Sequence, residues 1–270
     1  MSPAIAAIAF TAGILGLFML DRDPKVRSSF ALAIPMVWLS IGGSRVVSEW
    51  LNPTTTMAGE AYIEGNPLDR NIQTMLMVAG MAVLFRRRRK AGRLLRANAP
   101  ILIFFGYCAL SILWSDYPAT SFRRWVKAVG DVVMVMVVLT DPDPSAAVKM
   151  PARVGFILMP ASILLMRYFP EMARGFDSIT GQPAYTGVTT SKNSLGMICL
   201  IFGLGAVWRF LGAYWSRERA GRAGRLLAHG AVVVLVFWLL RLGDSSLPEE
   251  LVQSSPLLSW EQPPFSSPNS

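Results

Sequence analysis

The stretch 193-NSLGMICLIFGLGAVWRFLGAYW-215 decides the fold of this chain. Arg209 is its only charged residue, and apolar side chains cover every face of a helix rather than a stripe with a 3.6-residue period. The hydrocarbon core of a bilayer is about 30 Å thick, so about 20 consecutive apolar residues are needed to cross it as a helix. The stretch therefore predicts a transmembrane helix.

Further apolar blocks repeat this pattern, and short, strongly charged connectors separate them. They lie at about 3–20, 28–43, 72–85, 100–114, 126–140, 153–169 and 228–242. Apolar residues make up 53% of the chain, which a soluble domain can also reach, so their arrangement in blocks is the informative property. That arrangement predicts an all-α, polytopic transmembrane helix bundle with about eight spans.

The predicted domain organisation has two parts. Residues 1–242 form the transmembrane domain, and residues 243–270 follow as a tail rich in Ser and Pro, without Lys or Arg. A segment of that composition cannot form a span or a packed core, so the tail is predicted to be disordered.

The basic residues predict the orientation of the spans. The net charge is +9, and most Lys and Arg residues fall in the connectors that lie on one side if the N-terminus is outside. The run 86-RRRRK-90 contributes most to this asymmetry and is interpreted as a topology anchor, with an anionic-lipid site as the alternative. The prediction is a multi-pass protein of a bacterial-type inner membrane, in contact with membrane lipid and with no nucleic-acid partner.

The two cysteines, Cys108 and Cys199, both lie inside apolar blocks. No CxxC or Cys/His spacing accompanies them, so they are interpreted as small packing residues. The sequence accordingly predicts no disulfide, no metal site and no cofactor.

The motif 114-WSDYPATSFRR-124 places two arginines where the chain re-enters the membrane from the predicted external side. Arg123 and Arg124 there oppose the positive-inside trend. The guanidinium group is a planar fork of donors that matches phosphate oxygens, so the pair is a candidate site for a lipid-linked pyrophosphate. Ordinary snorkelling of the two side chains to lipid headgroups is the alternative.

A second motif, 187-GVTTSKNSLG-196, leads into the next predicted span on the same face. A helix N-terminus presents free amides and a partial positive charge, and Lys192 and Asn193 stand at that point. The motif is a second candidate anion site, and a capped helix start with an interfacial lysine is its alternative. Two such sites on one face favour a polyanionic ligand.

These two motifs, in this order and between these spans, resemble the O-antigen ligase and polymerase superfamily over about 1–242. The nearer branch is the exopolysaccharide-production type related to succinoglycan polymerisation proteins. The resemblance implies a glycosyltransferase of the periplasmic face in surface polysaccharide biosynthesis, with a glycan on undecaprenyl pyrophosphate as donor and no metal or nucleotide sugar. It also implies that Arg123, Arg124, Lys192 and Asn193 hold the pyrophosphate, and that other polysaccharide-assembly proteins are partners.

The chain departs from that family in one respect. Family members continue into a large late periplasmic loop whose histidine is thought to assist the acceptor hydroxyl. The only histidine here is His229, predicted to be an interfacial residue at the cytoplasmic start of the last span. We therefore expect a C-terminal truncation near Asp244, and the catalytic residues stay unknown. A non-catalytic membrane protein or a transport or assembly subunit is the alternative to a ligase or polymerase.

Overall fold

The computed structural model describes residues 2–22, 29–52, 66–176, 183–216 and 221–243. The described helices and strands are, in chain order, α1 (Pro3–Leu20), a 3-10 turn (Phe30–Leu32) leading into α2 (Ala33–Gly42), α3 (Val47–Leu51), α4 (Pro67–Arg86), α5 (Arg88–Ala97), α6 (Ala99–Ser111) with a 3-10 turn (Ile112–Trp114), α7 (Pro118–Leu139), α8 (Pro144–Tyr168), α9 (Pro170–Ala173), β1 (Arg174–Phe176), β2 (Pro183–Tyr185), α10 (Lys192–Trp215) and α11 (Arg222–Gly243). Each predicted apolar block contains a helix, so the all-α prediction is confirmed. The proposed disordered tail falls outside the described residues beyond Gly243.

Among the described residues, four helices are long and apolar enough to cross a membrane: α1, α8, α10 and the Arg222–Leu242 part of α11. A fifth candidate arises if α5 and the helix Ala99–Trp114 are taken as one span bent by 84°. The helix Phe30–Gly42 is apolar but shorter than a span. These helices support a multi-pass membrane protein, while the predicted number of eight spans exceeds what their length and composition establish.

Local sequence explains where the helices begin. Proline stands at the first position of α1, α4, α7 and α8, where its missing N–H group would have no intrahelical acceptor. Side-chain caps precede several of them; the Asp143 carboxylate, for example, accepts the Ser145 N–H at 2.9 Å. These signals start α4 and α7 several residues before the apolar blocks at 72–85 and 126–140, so α4 includes the charged residue Asp69 in its first turn and α7 includes Arg123 and Arg124 in its second.

Helix α8 lies at the centre of the bundle, in contact with α1, α2, α10 and α11. Val154, Phe156 and Met159 are completely buried along it. Glycines allow close helix approach in this region, because a Cβ atom on Gly203 of α10 would come within 2.9 Å of the Val236 side chain of α11. The core of the molecule is therefore the α8–α10–α11 packing, with α7 and α4 added at the side of α2.

The helix termini that contact one another define two opposite ends of the bundle. Asp21 at the end of α1 contacts His229 near the start of α11, and Arg87 at the end of α4 contacts Asp141 after α7. We call this the basic end, because the 86–96 connector emerges there. The C-terminus of α2 and the N-terminus of α10 lie at the opposite end. We call it the turn end, after the turn at residues 186–189.

Candidate functional site

The second sequence motif forms a tight turn at residues 186–189. Gly187 has a φ of +57°, and a Cβ atom there would approach the Ser162 side chain to 2.9 Å. The Thr186 N–H donates to the Ala173 carbonyl at 2.8 Å, and the Thr189 hydroxyl donates back to the Thr186 carbonyl at 2.8 Å. Only glycine suits this position, because an L side chain is strained at positive φ and has no space here.

The turn delivers the chain to the start of α10. The Ser191 hydroxyl accepts the Ser194 N–H at 3.2 Å as an N-cap. Lys192 and Asn193 follow in the first turn, the first half-buried and the second exposed. The predicted position of these two residues at a helix N-terminus is confirmed.

Arg45, just after α2, binds this turn. Its Nε donates to the Thr189 carbonyl at 3.1 Å, its Nη2 donates to the Thr186 hydroxyl at 3.2 Å, and its backbone N–H donates to the Val188 carbonyl at 2.9 Å. Burial lowers the pKa of the Arg45 guanidinium from its ordinary value, and the nearby Glu49 carboxylate opposes that effect. The group stays cationic, because an arginine does not lose its proton at physiological pH.

Arg45 also stands at one end of an apolar groove. The groove runs between α2 and α8, has a volume of about 400 Å³ and is open on one side. Its apolar lining includes Met36, Val37, Ile41, Ile157, Leu158 and Ala161. An arginine among otherwise uncharged lining residues is a pattern that an amphiphile with an anionic head would match.

The first motif forms the start of α7. Arg123 and Arg124 lie in its second turn with exposed side chains. The neighbouring Trp125 donates from its indole nitrogen to the Phe105 carbonyl at 3.0 Å and stacks against Phe122, which fixes α7 against α6. Trp125, directly after the motif, therefore has a packing role, and the two arginines are exposed.

Helix α2 lies between the two motifs. Its Trp38 donates to the Asp131 carboxylate of α7 at 2.8 Å and packs against Gly130. One turn later α2 ends and the chain reaches Arg45 and the turn at 186–189. Both motifs accordingly lie toward the turn end, but α7 packs on α2 and α4 while α10 packs on α8 and α11. The sequence-predicted residues do not form one contiguous cluster.

Sequence reasoning missed the importance of Arg45. A signal for it does exist in the chain. Arg45 directly follows an apolar block and precedes a stretch whose charged residues are mostly acidic, including Glu49 and Asp69. A lone arginine at such a position is a candidate for a specific contact.

Sequence reasoning also missed a buried ion cluster at the basic end. The Asp21 carboxylate accepts from Arg209 Nη2 at 2.8 Å and from Arg153 Nε at 3.4 Å, and its Oδ1 lies 3.1 Å from His229 Nε2. His229 is completely buried against Asp21, a contact that the prediction of an interfacial histidine did not include. The physical reason is that Asp21, directly after α1, provides a buried acceptor that no local sequence pattern predicts.

The cluster stabilises the ionised form of its acid. Burial by itself raises the pKa of Asp21, but the His229 hydrogen bond and the positive charges of Arg209 and Arg153 outweigh burial and lower the pKa to about 2. The cluster joins α1, α8, α10 and α11 through one carboxylate. Its geometry is that of a structural cross-link between helices.

Comparison with protein-family models, with curated proteins and with solved structures finds no significant match to this chain.

Proposed function

We propose that this chain is a membrane protein of the glycan ligase or polymerase type, in bacterial surface polysaccharide biosynthesis. In this proposal it binds an undecaprenyl-pyrophosphate-linked glycan at the turn end, on the periplasmic face of the inner membrane. The observation that supports it best is the position of Arg45 at the head of the apolar groove between α2 and α8.

The groove and the guanidinium match the two parts of such a donor. The apolar walls suit part of an isoprenoid chain, which loses contact with water when it is enclosed. The two contacts to the turn use two of the five donors of Arg45, and arginine binds phosphate oxygens through paired donors. In the proposal, Arg123 and Arg124 at the start of α7 and Lys192 and Asn193 at the start of α10 add two arginines, a lysine and an amide donor on either side of α2.

The proposed chemistry rests on stabilisation of the leaving group. When an acceptor hydroxyl attacks the sugar carbon that is bonded to the pyrophosphate, that carbon–oxygen bond breaks and negative charge develops on the pyrophosphate. Arginines at the turn end would stabilise that charge. The acceptor hydroxyl must also lose its proton to a base.

The position of His229 favours a non-catalytic role as the second candidate. It is the only histidine in the chain, and it is buried against Asp21 at the basic end. It therefore lies away from Arg45 and the proposed donor. We expect the chain to bind the donor without transferring glycan when it acts alone, as a subunit for transport or assembly would.

Binding is tested with the purified full-length chain and undecaprenyl pyrophosphate as the probe. Arg45→Gln removes a charged donor that faces the pyrophosphate, so its affinity should fall roughly tenfold to a hundredfold, as for the loss of one hydrogen bond to a charged group. Arg70→Gln is the control, because Arg70 is an exposed arginine at the start of α4 that contacts neither the turn nor the groove lining. Equal affinities for the two variants would contradict the proposed site.

Transfer is tested by expressing the chain in a strain that lacks its own ligase or polymerase. We expect no long-chain surface polysaccharide, since His229 is held by Asp21 at the basic end. Restored polysaccharide would exclude the non-catalytic candidate and would show that another group acts as the base.

The finer topology belongs to the same proposal: about eight crossings of an inner membrane, with the 86–96 connector inside and residues 115–123 outside. Single cysteines at Gly92 and Asp116, introduced after Cys108 and Cys199 are replaced, should react with a membrane-impermeant maleimide from opposite sides. Reaction of both from the same side would contradict it.

A further inference from the structure

Helix α5 (Arg88–Ala97) runs at 84° to the apolar helix Ala99–Trp114 that follows it. If that apolar helix points into the bilayer, α5 lies along the membrane surface at the basic end. We infer that three arginines of α5, Arg89, Arg93 and Arg96, bind the phosphate groups of anionic phospholipids on that surface. We call these residues the α5 arginine stripe.

Two neighbouring cations fix how α5 is rotated. The Arg87 guanidinium contacts the Asp141 carboxylate at 3.2 Å and donates to the Ser29 hydroxyl at 3.2 Å. The Lys90 ammonium donates to the Asp141 carbonyl at 2.9 Å. These contacts hold the Arg87 and Lys90 side of the helix against the bundle.

The remaining residues of α5 separate by face. Positions 89, 93 and 96 recur at i, i+4 and i+7, so they share one face of a helix with a 3.6-residue period. On the opposite face Ala91 is buried, and Leu94 and Leu95 are half-buried. Helix α5 is therefore amphipathic, and its basic face points away from the bundle.

The positive charge of the α5 arginine stripe favours an anionic partner from outside the chain. All three arginines are exposed, and the sequence has no Asp or Glu between Asp69 and Asp116. Amphipathic helices with a basic face lie in the interfacial layer and bind anionic lipids, and clusters of four to eight basic residues beside a span do the same. The continuation of α5 into apolar helices on both sides puts lipid headgroups, rather than another macromolecule, at its depth.

The test uses the full-length chain in phosphatidylcholine vesicles that also contain phosphatidylglycerol. Spin-labelled phosphatidylglycerol and spin-labelled phosphatidylcholine report how strongly each lipid is held at the protein surface. In the triple variant R89Q/R93Q/R96Q the preference for phosphatidylglycerol should fall by roughly fivefold or more, since each basic residue near an anionic surface contributes about that factor. The variant R89K/R93K/R96K should keep most of the preference, because it keeps the charge.

The matched control is R70Q/R167Q/R241Q, which removes the same charge from exposed positions of α4, α8 and α11. It should leave the lipid preference unchanged. An equal loss in the control would overturn the inference, because the effect would then follow net charge alone. An unchanged preference in R89Q/R93Q/R96Q, or displacement of the labelled lipid by inorganic phosphate at constant ionic strength, would overturn it as well.

Discussion

The two ends of the bundle use arginine in opposite ways. At the basic end, Arg209 and Arg153 meet the carboxylate of Asp21 inside the bundle. At the turn end, the acceptors that hold Arg45 are a backbone carbonyl and a hydroxyl, neither of which carries a charge. The first arrangement pairs opposite charges within the fold, whereas the second orients Arg45 through neutral acceptors beside an apolar groove, with the Glu49 carboxylate nearby.

This difference separates stability from binding. A buried carboxylate between two arginines contributes to the fold mainly because its removal would leave cations without a counter-charge. A guanidinium held by neutral oxygens is oriented without being neutralised, and it keeps its attraction for an anion. We therefore expect substitutions in the Asp21 cluster to destabilise the fold and substitutions around Arg45 to change what the protein binds.

The largest effect is expected from Asp21→Ala. The change leaves Arg209 and Arg153 without the buried carboxylate, so the free energy of unfolding should fall by about 3–5 kcal/mol. Thermal unfolding of the purified protein in detergent measures it. Glu171→Ala is the control, because Glu171 is an exposed acid of α9. Its substitution should change the free energy of unfolding by no more than about 0.5 kcal/mol. Similar effects for the two variants would remove the basis for distinguishing the ends.

The Asp21 cluster should also make the free energy of unfolding depend on pH, with a smaller effect than Asp21→Ala. The pKa of Asp21 is about 2 in the fold against an ordinary value of 3.8, so ionised Asp21 stabilises the protein at pH values above about 4. That contribution, about 2 kcal/mol, is lost as the pH falls from about 4 to about 2. Unfolding measured at about pH 5 and about pH 3 should show the loss in the wild type and less of it in Asp21→Asn. An identical pH dependence in both proteins would contradict this assignment.

At the turn end, Gly187→Ala should lower the free energy of unfolding by about 1–2 kcal/mol. The alanine would have to adopt a positive φ, and its methyl group would crowd the Ser162 side chain. The turn that orients Arg45 would therefore shift. Gly196→Ala is the control, because a Cβ atom there meets no other atom within 4 Å. Undecaprenyl pyrophosphate binding should weaken in the first variant only, and weakening in both would show that the turn geometry is not responsible.

The smallest effect on stability is expected at the start of α7. Arg123→Lys and Arg124→Lys keep the charge of two exposed side chains, so unfolding should change by less than about 0.5 kcal/mol. Lysine lacks the planar fork, and donor binding should weaken even though the fold does not. Unchanged binding in both single variants and in the double variant would return these residues to simple headgroup contact.

Helix positions were largely predictable from the sequence, because hydrophobic blocks of span length and proline at the first helical position are local signals. Pro144 and Asp143 show this well, since together they begin α8 where the chain leaves a charged connector. The turn at Gly187 was also predictable, because a glycine followed by hydroxyl residues and a helix start is a local pattern. The 84° bend at Asn98 was not, since the sequence offers only a basic amphipathic segment beside an apolar one.

The contacts that define the two ends could not be predicted from local patterns. Arg45 meets Thr186 across 141 residues of sequence, and Trp38 meets Asp131 across 93. Such pairs depend on which helices become neighbours, and hydrophobicity alone does not determine which apolar helices pack together. Arg123 and Arg124 lie near the start of α7, and Lys192 and Asn193 lie at the start of α10, but the separation of the two pairs by α2 follows from packing.

The Asp21 cluster imposes an order on the biogenesis of this protein. Asp21 and His229 are 208 residues apart, so the carboxylate leaves the ribosome long before its last partner is made. At a synthesis rate of about 5–20 residues per second, that interval is roughly 10–40 s. Asp21 follows the last residue of α1, so its carboxylate can stay hydrated beside the membrane during the wait. When α11 is inserted, the Asp21 carboxylate can exchange its water for His229, so the packing of α1, α8 and α10 around this acid is complete only after α11 is in place.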